Sequence, residues 1–410
     1  MKLTRRDFLI KGTTLFAALG LGGALFTETG RSIFAGGQDA KTEDPILVVV
    51  QLSGGNDGIN TLIPYGQGAY YDARPTLAYQ QKDVLPLDNR VGLHPSLPGL
   101  AALYKLGKMA IIQGVGYPKP DHSHFRSMEI WQTAEPEKVI RSGWLARYAE
   151  SSLGSDNNPL KAIQVGSAGS KAFASETMSF PVVQSLEAYH LIDPKTGMME
   201  KNRLTQAFLE MYGGSGALDQ LRVVSNRGSE AYRSVEAIQS LKAGYVSKVE
   251  YPRTTFAQDL QLVTKLLAGN SGTRLFQVQV GGFDDHADEK LQHARVLTTV
   301  DEGLTAFYKD LEAQGLQERV AVMMFSEFGR RVKENGSGGT DHGTAAPVFV
   351  IGGKVKGGLY GAYPSLSTLD NGDLKYEVDF RSVYATLIEQ WLQGDTRSVL
   401  GKAYENLKFI

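Results

Sequence analysis

Five nearly continuous apolar segments restrict the folds open to this chain more than any other feature of its sequence. Such segments are typical of strands that are covered on both faces, as in a parallel or mixed sheet between two layers of helices. We therefore predict a buried central sheet. Its strands are predicted at Ile46–Leu52, Met109–Val115, Arg274–Val280, Val320–Phe325 and Val348–Ile351, with Ala162–Val165 as a weaker sixth.

Helical patterns lie between these predicted strands. Apolar residues recur near helical spacing from Asp288 to about Gln314, and Phe380–Leu392 places Val383, Leu387 and Trp391 on one side. Alternation of strands and helices over this length predicts a doubly wound α/β fold, with the sheet as the middle layer of a three-layer sandwich.

Residues 195–270 break the alternation, because they contain amphipathic helical stretches and no convincing strand. The stretches are Leu204–Tyr212, Glu230–Leu241 and Phe256–Leu267. We expect a helical insertion or cap over one side of the sheet, within a domain that spans residues 45–410.

Composition excludes several classes of protein. The 410 residues include 43 basic and 44 acidic side chains, so a net charge of −1 provides no global field for nucleic acid or a membrane surface. We therefore expect no nucleic-acid partner. Cysteine is absent, which excludes disulfides, thiolate ligands and a sulfatase whose formylglycine derives from cysteine.

The N-terminal residues resemble an export signal. Arg5 and Arg6 precede a weakly apolar, glycine-containing run from Thr13 to about Phe26, and small residues follow. Residues 1–35 are predicted to be a twin-arginine signal peptide and residues 36–44 a polar linker. The alternative is an N-terminal membrane anchor, but the run is short of the roughly 20 apolar residues that a span needs. We expect a periplasmic or extracellular protein that engages the twin-arginine translocation machinery and keeps no stable membrane span after cleavage.

Acidic and imidazole side chains follow the predicted strands directly. Asp57 lies in a glycine-rich turn after the first strand, and Asp284 and His286 follow Gly281-Gly282. Glu327 closes the Val320–Phe325 strand, and Asp341 and His342 precede the last one. Because an α/β enzyme collects its ligands and catalysts at the carboxyl ends of parallel strands, we predict a metal or catalytic site there. The alternatives are that Asp57 only caps a helix and that Asp284 and His286 form a solvated turn.

A serine between two histidines follows the Met109–Val115 strand. Asp121 or Ser123 can begin the next helix, where free backbone N–H groups and the helix dipole favour an anion and can activate a nucleophile. His122 and His124 flank this serine, and Arg126 can bind an oxyanion through two hydrogen bonds. The alternative is a capping serine with surface histidines.

Together these motifs resemble a family of twin-arginine-exported bacterial proteins known only as domain of unknown function 1501. The residues that carry the resemblance are Gly54-Gly55-Asn56-Asp57, His122-Ser123-His124-Phe125, Gly281-Gly282-Phe283-Asp284, Ser326-Glu327-Phe328-Gly329-Arg330 and Gly339-Thr340-Asp341-His342-Gly343. They span essentially the whole mature chain. That family is similar in turn to the alkaline phosphatase and sulfatase superfamily. The resemblance implies an alkaline-phosphatase-like fold, a nucleophile at a helix N-terminus, and one or two divalent ions of zinc, calcium, magnesium or manganese.

The resemblance also implies roles for individual residues. Asp57 matches the first-strand metal aspartate and Ser123 the nucleophile. Asp284 and His286 look like the superfamily's separated aspartate and histidine, although their spacing here is tighter, and His342 looks like the final histidine ligand.

This sequence departs from the superfamily pattern at the second metal. Glu327 replaces an aspartate, and Phe328 stands where histidine is usual. In an alternative alignment Asp341 and His342 form the aspartate–histidine pair, and the last histidine is then missing. Either alignment lacks one ligand, so a single metal is at least as consistent with the sequence as two.

The preferred functional prediction is an exported, metal-dependent hydrolase of phosphate or sulfate esters on a small molecule or glycan. Arg126 or Arg330 would hold the non-bridging oxygens, and a histidine would protonate the leaving group. An alternative is a catalytically degraded relative that binds an anionic envelope polymer or glycan. A redox enzyme is suggested only by the export route, since no cysteine cluster or dinucleotide fingerprint is present.

Overall fold

The computed structural model describes residues 44–186, 189, 230–231, 233–241 and 245–410. Its strands follow the apolar segments of the sequence. In chain order they are β1 (Ile46–Leu52), β2 (Leu62–Ile63), β3 (Leu85–Pro86), β4 (Gly92–Leu93), β5 (Met109–Gly116), β6 (Ala162–Val165), β7 (Val182–Val183), β8 (Leu275–Val280), β9 (Val320–Ser326), β10 (Ala346–Gly352), β11 (Gly358–Tyr360) and β12 (Val378–Asp379).

A nine-stranded sheet runs in the order β11-β5-β10-β9-β1-β8-β6-β7, and β12 also pairs with β5. β10 is antiparallel to both of its neighbours, whereas the other pairings in this sheet are parallel. The carboxyl ends of β1, β5, β8 and β9 therefore lie at one edge of the sheet. β2, β4 and β3 form a separate antiparallel sheet.

Helices cover both faces of the large sheet. They are α1 (Gly58–Thr61), α2 (Gly68–Ala73), α3 (Pro98–Lys105), α4 (His124–Thr133), α5 (Trp144–Ser152), α6 (Thr255–Ala268), α7 (Glu289–Gln314), α8 (Phe380–Thr386) and α9 (Thr396–Leu400). Val48 and Val50 of β1 pack in a core with α3, α6 and α7, whereas Leu47 and Val49 pack in a second core with α4, α5 and α8. A strand with alternate side chains in two cores must be buried on both faces, which explains its continuous apolar sequence.

The predicted α/β sandwich is confirmed, with a central, mostly parallel sheet between helices. All six predicted strands are present, and the predicted helix from Asp288 begins one residue later with Asp288 as its N-cap. The Phe380–Leu392 pattern forms α8 followed by one π-helical turn, Leu387–Trp391.

Some sequence predictions fall on residues beyond this description. The signal peptide, most of the linker and the Leu204–Tyr212 helix lie outside the described residues. Within the predicted insertion, residues 233–240 are helical and α6 follows, so the insertion stays a prediction. Across the described ranges, no helix combines the length and apolarity that a membrane crossing requires.

Candidate metal and active site

Four connections at the carboxyl edge of the sheet meet around the carboxylate of Asp284. They are the turn after β1, the segment from β5 to α4, the loop from β8 to α7, and the loop from β9 to β10. Glycines let the first of these approach the third closely. Gly54 has φ +118°, and a Cβ atom there would lie 2.7 Å from the backbone nitrogen of Asp284.

Three imidazoles converge on one oxygen of Asp284. Nε2 of His286, His342 and His124 lies 3.0, 3.2 and 3.3 Å from Asp284 Oδ1. Nε2 of His286 is also 3.0 Å from Nε2 of His342. These are the side chains that the sequence placed at successive strand ends, and the fold brings them to one point.

The other ring nitrogen of each histidine faces an acceptor. His124 Nδ1 lies 2.8 Å from Glu327 Oε1, and His342 Nδ1 lies 2.7 Å from the carbonyl oxygen of His122. His286 Nδ1 is 3.6 Å from Asp341 Oδ1, beyond hydrogen-bond range but close enough for an electrostatic contact. For His124 and His342 this resembles the arrangement of metal-binding histidines, in which an outer acceptor fixes the tautomer and the opposite nitrogen faces the ion.

Arg330 lies beneath this cluster and is 1% exposed. Its guanidinium donates to Asp284 Oδ1 at 2.7 Å. It also donates to the backbone carbonyls of Gly55, Thr340 and Phe283. Arg330 was predicted to hold substrate oxygens; the structure directs its donors to the loops and to Asp284.

The local charges set the protonation of the cluster. Burial would raise the pKa of Asp284, but hydrogen bonding and charge from Arg330, helped by His342 and His124, lower it to about 2. The hydrogen bond with Glu327 raises the pKa of His124 against the effect of burial. Burial lowers the pKa of His342, so its neutral ring is favoured.

Ser123 is the N-cap of α4 and is exposed, and its side chain makes no capping hydrogen bond. Its backbone N–H donates to Asp121 Oδ1 at 2.7 Å, which fixes the turn and leaves the hydroxyl group to face solvent. An open cavity of about 790 Å³ lies beside it, and the cavity is also lined by Ser53, His124, Asp284 and Glu327. The candidate nucleophile Ser123 thus shares one cavity with His124 and Asp284 of the cluster.

Arg126 and Lys171 also line this cavity, and both pair with Glu129. Arg126 Nη1 lies 2.8 Å from Glu129 Oε2, and Lys171 Nζ contacts Glu129 Oε1. Arg126, predicted to bind an oxyanion, is therefore already partly neutralised. His122 lies apart from the cluster, with Nε2 2.9 Å from the buried carboxylate of Asp373.

Asp57 belongs to a different, buried group. It caps α1 through Ile59 N–H and forms a two-point ion pair with Arg74, which is fully buried. Its carboxylate lies within 4.8 Å of ligand atoms of Glu289 and His293. Although burial raises the pKa of Asp57, Arg74 lowers it well below the ordinary value. The structure thus does not bring Asp57 to the Asp284 cluster, and Ser53 and Gly54 occupy the edge of the cavity at this strand end.

Sequence reasoning missed Arg74 and Glu289. Arg74 follows α2 in a segment without a motif, and Glu289 reads as an ordinary acidic residue in the first turn of α7. Neither position carried a signal, since their partners come from distant parts of the chain.

The donor set at Asp284 fits a divalent metal. One carboxylate and several imidazoles are the ligands that zinc and similar ions prefer, whereas calcium and magnesium prefer oxygen alone. His124, Asp284 and His342 offer ligand atoms within 4.8 Å of one another, and His124 Nε2 is buried with no hydrogen-bond partner. A cation at the convergence point would supply that partner.

A family model described as "Protein of unknown function (DUF1501)" matches residues 93–402. No curated protein matches the chain.

Among solved structures, the C-terminal periplasmic domain of EptC from Escherichia coli in complex with Zn is 11% identical with a TM-score of 0.35, covering 76% of this chain and 74% of its own. The lipoteichoic acid synthase LtaP from Listeria monocytogenes is 9% identical with a TM-score of 0.35, covering 97% and 79%. An alkaline phosphatase superfamily protein from Vibrio parahaemolyticus is 9% identical with a TM-score of 0.36, covering 89% and 72%. At these identities none of the structures assigns a role to an individual side chain here.

Proposed function

The chain belongs to the DUF1501 family of proteins of unknown function, and we propose that it is an exported, metal-dependent hydrolase of phosphate or sulfate esters. One observation carries the proposal. An unpartnered serine begins a helix at a cavity that Asp284 also lines, and His286 and His342 converge on that carboxylate. The substrate class follows the motif resemblance to the alkaline phosphatase and sulfatase superfamily, and the place of action is the periplasm or the outside of the cell.

The start of α4 suits an anionic ester. The first N–H groups of a ten-residue helix lack helical partners, and its dipole favours negative charge at this end. Ser123 Oγ would attack the phosphorus or sulfur atom, and the bond to the leaving alcohol oxygen would break on the opposite side. Water would then cleave the resulting seryl ester, releasing phosphate or sulfate and restoring the serine. Asp284, His286 and His342 would hold a divalent ion, which when bound lowers the pKa of a nucleophile and neutralises developing charge.

Proton transfer falls to a histidine outside the cluster. His122 neighbours Ser123, is partly exposed, and is oriented by Asp373 at 2.9 Å. We assign it the proton that the Ser123 hydroxyl loses on attack, while the leaving alcohol takes up a proton from water. Arg330 acts through other residues, because it holds Asp284 and a loop that carries another ligand.

A screen of aryl phosphates, phosphodiesters and aryl sulfates with zinc-loaded protein tests this function. Ser123→Ala should lower kcat by at least about a hundredfold, because the nucleophile is lost. The unfolding temperature should change little, since this side chain makes no capping bond. Hydrolysis that survives Ser123→Ala, or no hydrolysis of any ester by metal-loaded protein, would reject the proposal.

A second candidate is a non-catalytic binder of an anionic envelope polymer or glycan. Phe328 favours it, because this buried ring packs 4.8 Å from the rings of both His124 and His342, where a second metal's histidine would be expected. Bound metal and measurable glycan affinity without turnover would support this role instead.

A further inference from the structure

We propose that His124 is a fourth protein ligand of the metal centre and that Glu327 orients it from outside the coordination shell. The centre would then consist of three imidazoles and the carboxylate of Asp284, so a nucleophile would have to bind the ion as a fifth ligand. This assignment rests on the metal that the proposed function requires, but it gives His124 and Glu327 roles that neither the sequence pattern nor the motif resemblance provides.

The tautomer of His342 supplies the first argument. A carbonyl oxygen only accepts hydrogen bonds, so the contact with His122 O at 2.7 Å requires the proton on His342 Nδ1. In the neutral ring Nε2 then carries a lone pair, and this atom lies 3.2 Å from Asp284 Oδ1. Two electron pairs at this distance repel each other unless a cation lies between them.

His124 has the same arrangement as His342, with one ring nitrogen bound to an acceptor and the other facing Asp284. Glu327 is 1% exposed and accepts from His124 Nδ1 at 2.8 Å, which leaves Nε2 facing Asp284 Oδ1 at 3.3 Å. Nε2 is buried and has no hydrogen-bond partner. A buried nitrogen in this state is costly, and a bound ion would remove the cost.

The number of groups around Asp284 Oδ1 also supports a cation at this point. Three imidazole nitrogens and the Arg330 guanidinium all lie within 3.3 Å of this one oxygen. A carboxylate oxygen has about two lone-pair sites, so these contacts cannot all be hydrogen bonds. In a tetrahedral zinc site with bonds of about 2.0 Å, neighbouring ligand atoms are separated by about 3.3 Å. The 3.0–3.3 Å separations between Asp284 Oδ1 and the three imidazole nitrogens, and the 3.0 Å between His286 Nε2 and His342 Nε2, match ligand atoms that share one ion.

Glu327 Oε1 is not available as a ligand, because it accepts from Gly54 N–H and from His124, both at 2.8 Å. Glu327 Oε2 lies 3.2 Å from Ser326 Oγ, whose single proton is also 2.8 Å from Leu52 O. The bonds at Oε1 are those of an outer carboxylate that fixes the orientation of a metal-binding imidazole.

A rival explanation is that His124 is a permanent imidazolium held between Glu327 and Asp284. The raised pKa of His124 in the absence of a metal is compatible with it. The two explanations differ in metal affinity and in the number of bound imidazoles, and both quantities are measurable without any substrate.

The test uses purified full-length protein loaded with zinc. Three quantities are measured: the metal content, the zinc affinity from chelator competition, and the number of imidazole ligands from X-ray absorption. The wild type should bind one zinc through three imidazoles. His124→Ala and His124→Gln should each weaken zinc binding by at least about tenfold and reduce the count to two. Glu327→Gln keeps the side-chain size and should weaken binding by about 10–100-fold with the count still at three.

Phe125→Ala is the control for zinc binding, because it truncates a 90% exposed ring next to His124 on the same helix and leaves every proposed ligand in place. Its zinc affinity should equal that of the wild type. Wild-type affinity in both His124 variants, with the imidazole count unchanged, would overturn the assignment and support the imidazolium. Failure of the function is separable, since a three-imidazole zinc centre without ester hydrolysis rejects the hydrolase and leaves the ligand assignment standing.

Discussion

Arg330 holds Asp284 from below, with its Nη2 atom 2.7 Å from Asp284 Oδ1. The arginine is buried and the aspartate side chain is half exposed, so the ion pair connects the interior to the floor of the cavity. The same guanidinium also donates to backbone carbonyls in three of the four connections at this edge, so one side chain links Asp284 to the loops around it.

Arg330→Lys should therefore disrupt both the fold and the metal centre. An ammonium group cannot reproduce the planar fork, so several buried carbonyls would lose their donor, at about 1–3 kcal/mol each. We expect the free energy of unfolding to fall by at least about 3 kcal/mol and zinc affinity to fall with it. Arg331→Lys, at the more exposed neighbouring residue, should change stability by only about 0.5 kcal/mol. Equal stability of the two variants in denaturant titrations would contradict the role of Arg330.

Most of the fold could be predicted from the sequence because the long strands are buried on both faces. Six predicted strands form six strands of the large sheet. The short strands β2, β3, β4, β7, β11 and β12 were not predicted, since two or three residues carry no periodic signal. The antiparallel direction of β10 is likewise absent from its own sequence, because it depends on which distant strands flank it.

The sequence predicted the location of the site better than it predicted the roles of the individual residues. The strand-end rule drew attention to Asp284, His286, Glu327 and His342, which the structure brings together with His124. The strand-end rule could not show that the Asp57 side chain lies away from the Asp284 cluster. That outcome depends on positive φ angles at Gly54 and Gly55 and on Arg74, whose position follows only from tertiary packing.

Asp57→Asn should destabilise the protein without removing the metal. The variant leaves the fully buried Arg74 without its counter-charge, which typically costs about 3–5 kcal/mol. Zinc bound per folded chain should stay at the wild-type value. Asp72→Asn, at an exposed position in α2, should be within about 0.5 kcal/mol of the wild type. Loss of zinc from Asp57→Asn at unchanged stability would instead make Asp57 a ligand, as the sequence predicted.

Gly54→Ala should disturb the metal centre through the backbone. The added Cβ atom would lie 2.7 Å from Asp284 N, at a φ of +118° that side chains rarely adopt. We expect a loss of about 1–3 kcal/mol in stability from backbone strain, and weaker zinc binding as Asp284 shifts. Gly68→Ala is the control, since no atom lies within 4 Å of the added methyl group and the residue begins α2. The prediction fails if calorimetry and zinc titration cannot tell the two variants apart.

Glu289→Gln should change how stability depends on pH. Glu289 is 1% exposed, and burial with the nearby charge of Asp57 raises its pKa well above 4.5, so the folded protein keeps this proton. The unfolded chain releases it near pH 4.5, so above that value the folded state binds more protons and stability falls as pH rises.

Glutamine mimics the protonated acid at this position. Its carbonyl can accept the hydrogen bond from Thr340 Oγ1, which is 2.6 Å from Glu289 Oε2, and its amide can donate to Asp57. Because glutamine does not titrate, Glu289→Gln should gain stability over the wild type progressively from pH 5 to pH 8, by up to about 1.4 kcal/mol for each pH unit. Glu302→Gln, at an exposed position of the same helix, should give a curve parallel to that of the wild type. Parallel curves for Glu289→Gln and the wild type in urea titrations across this range would mean that Glu289 is ionised in the folded protein.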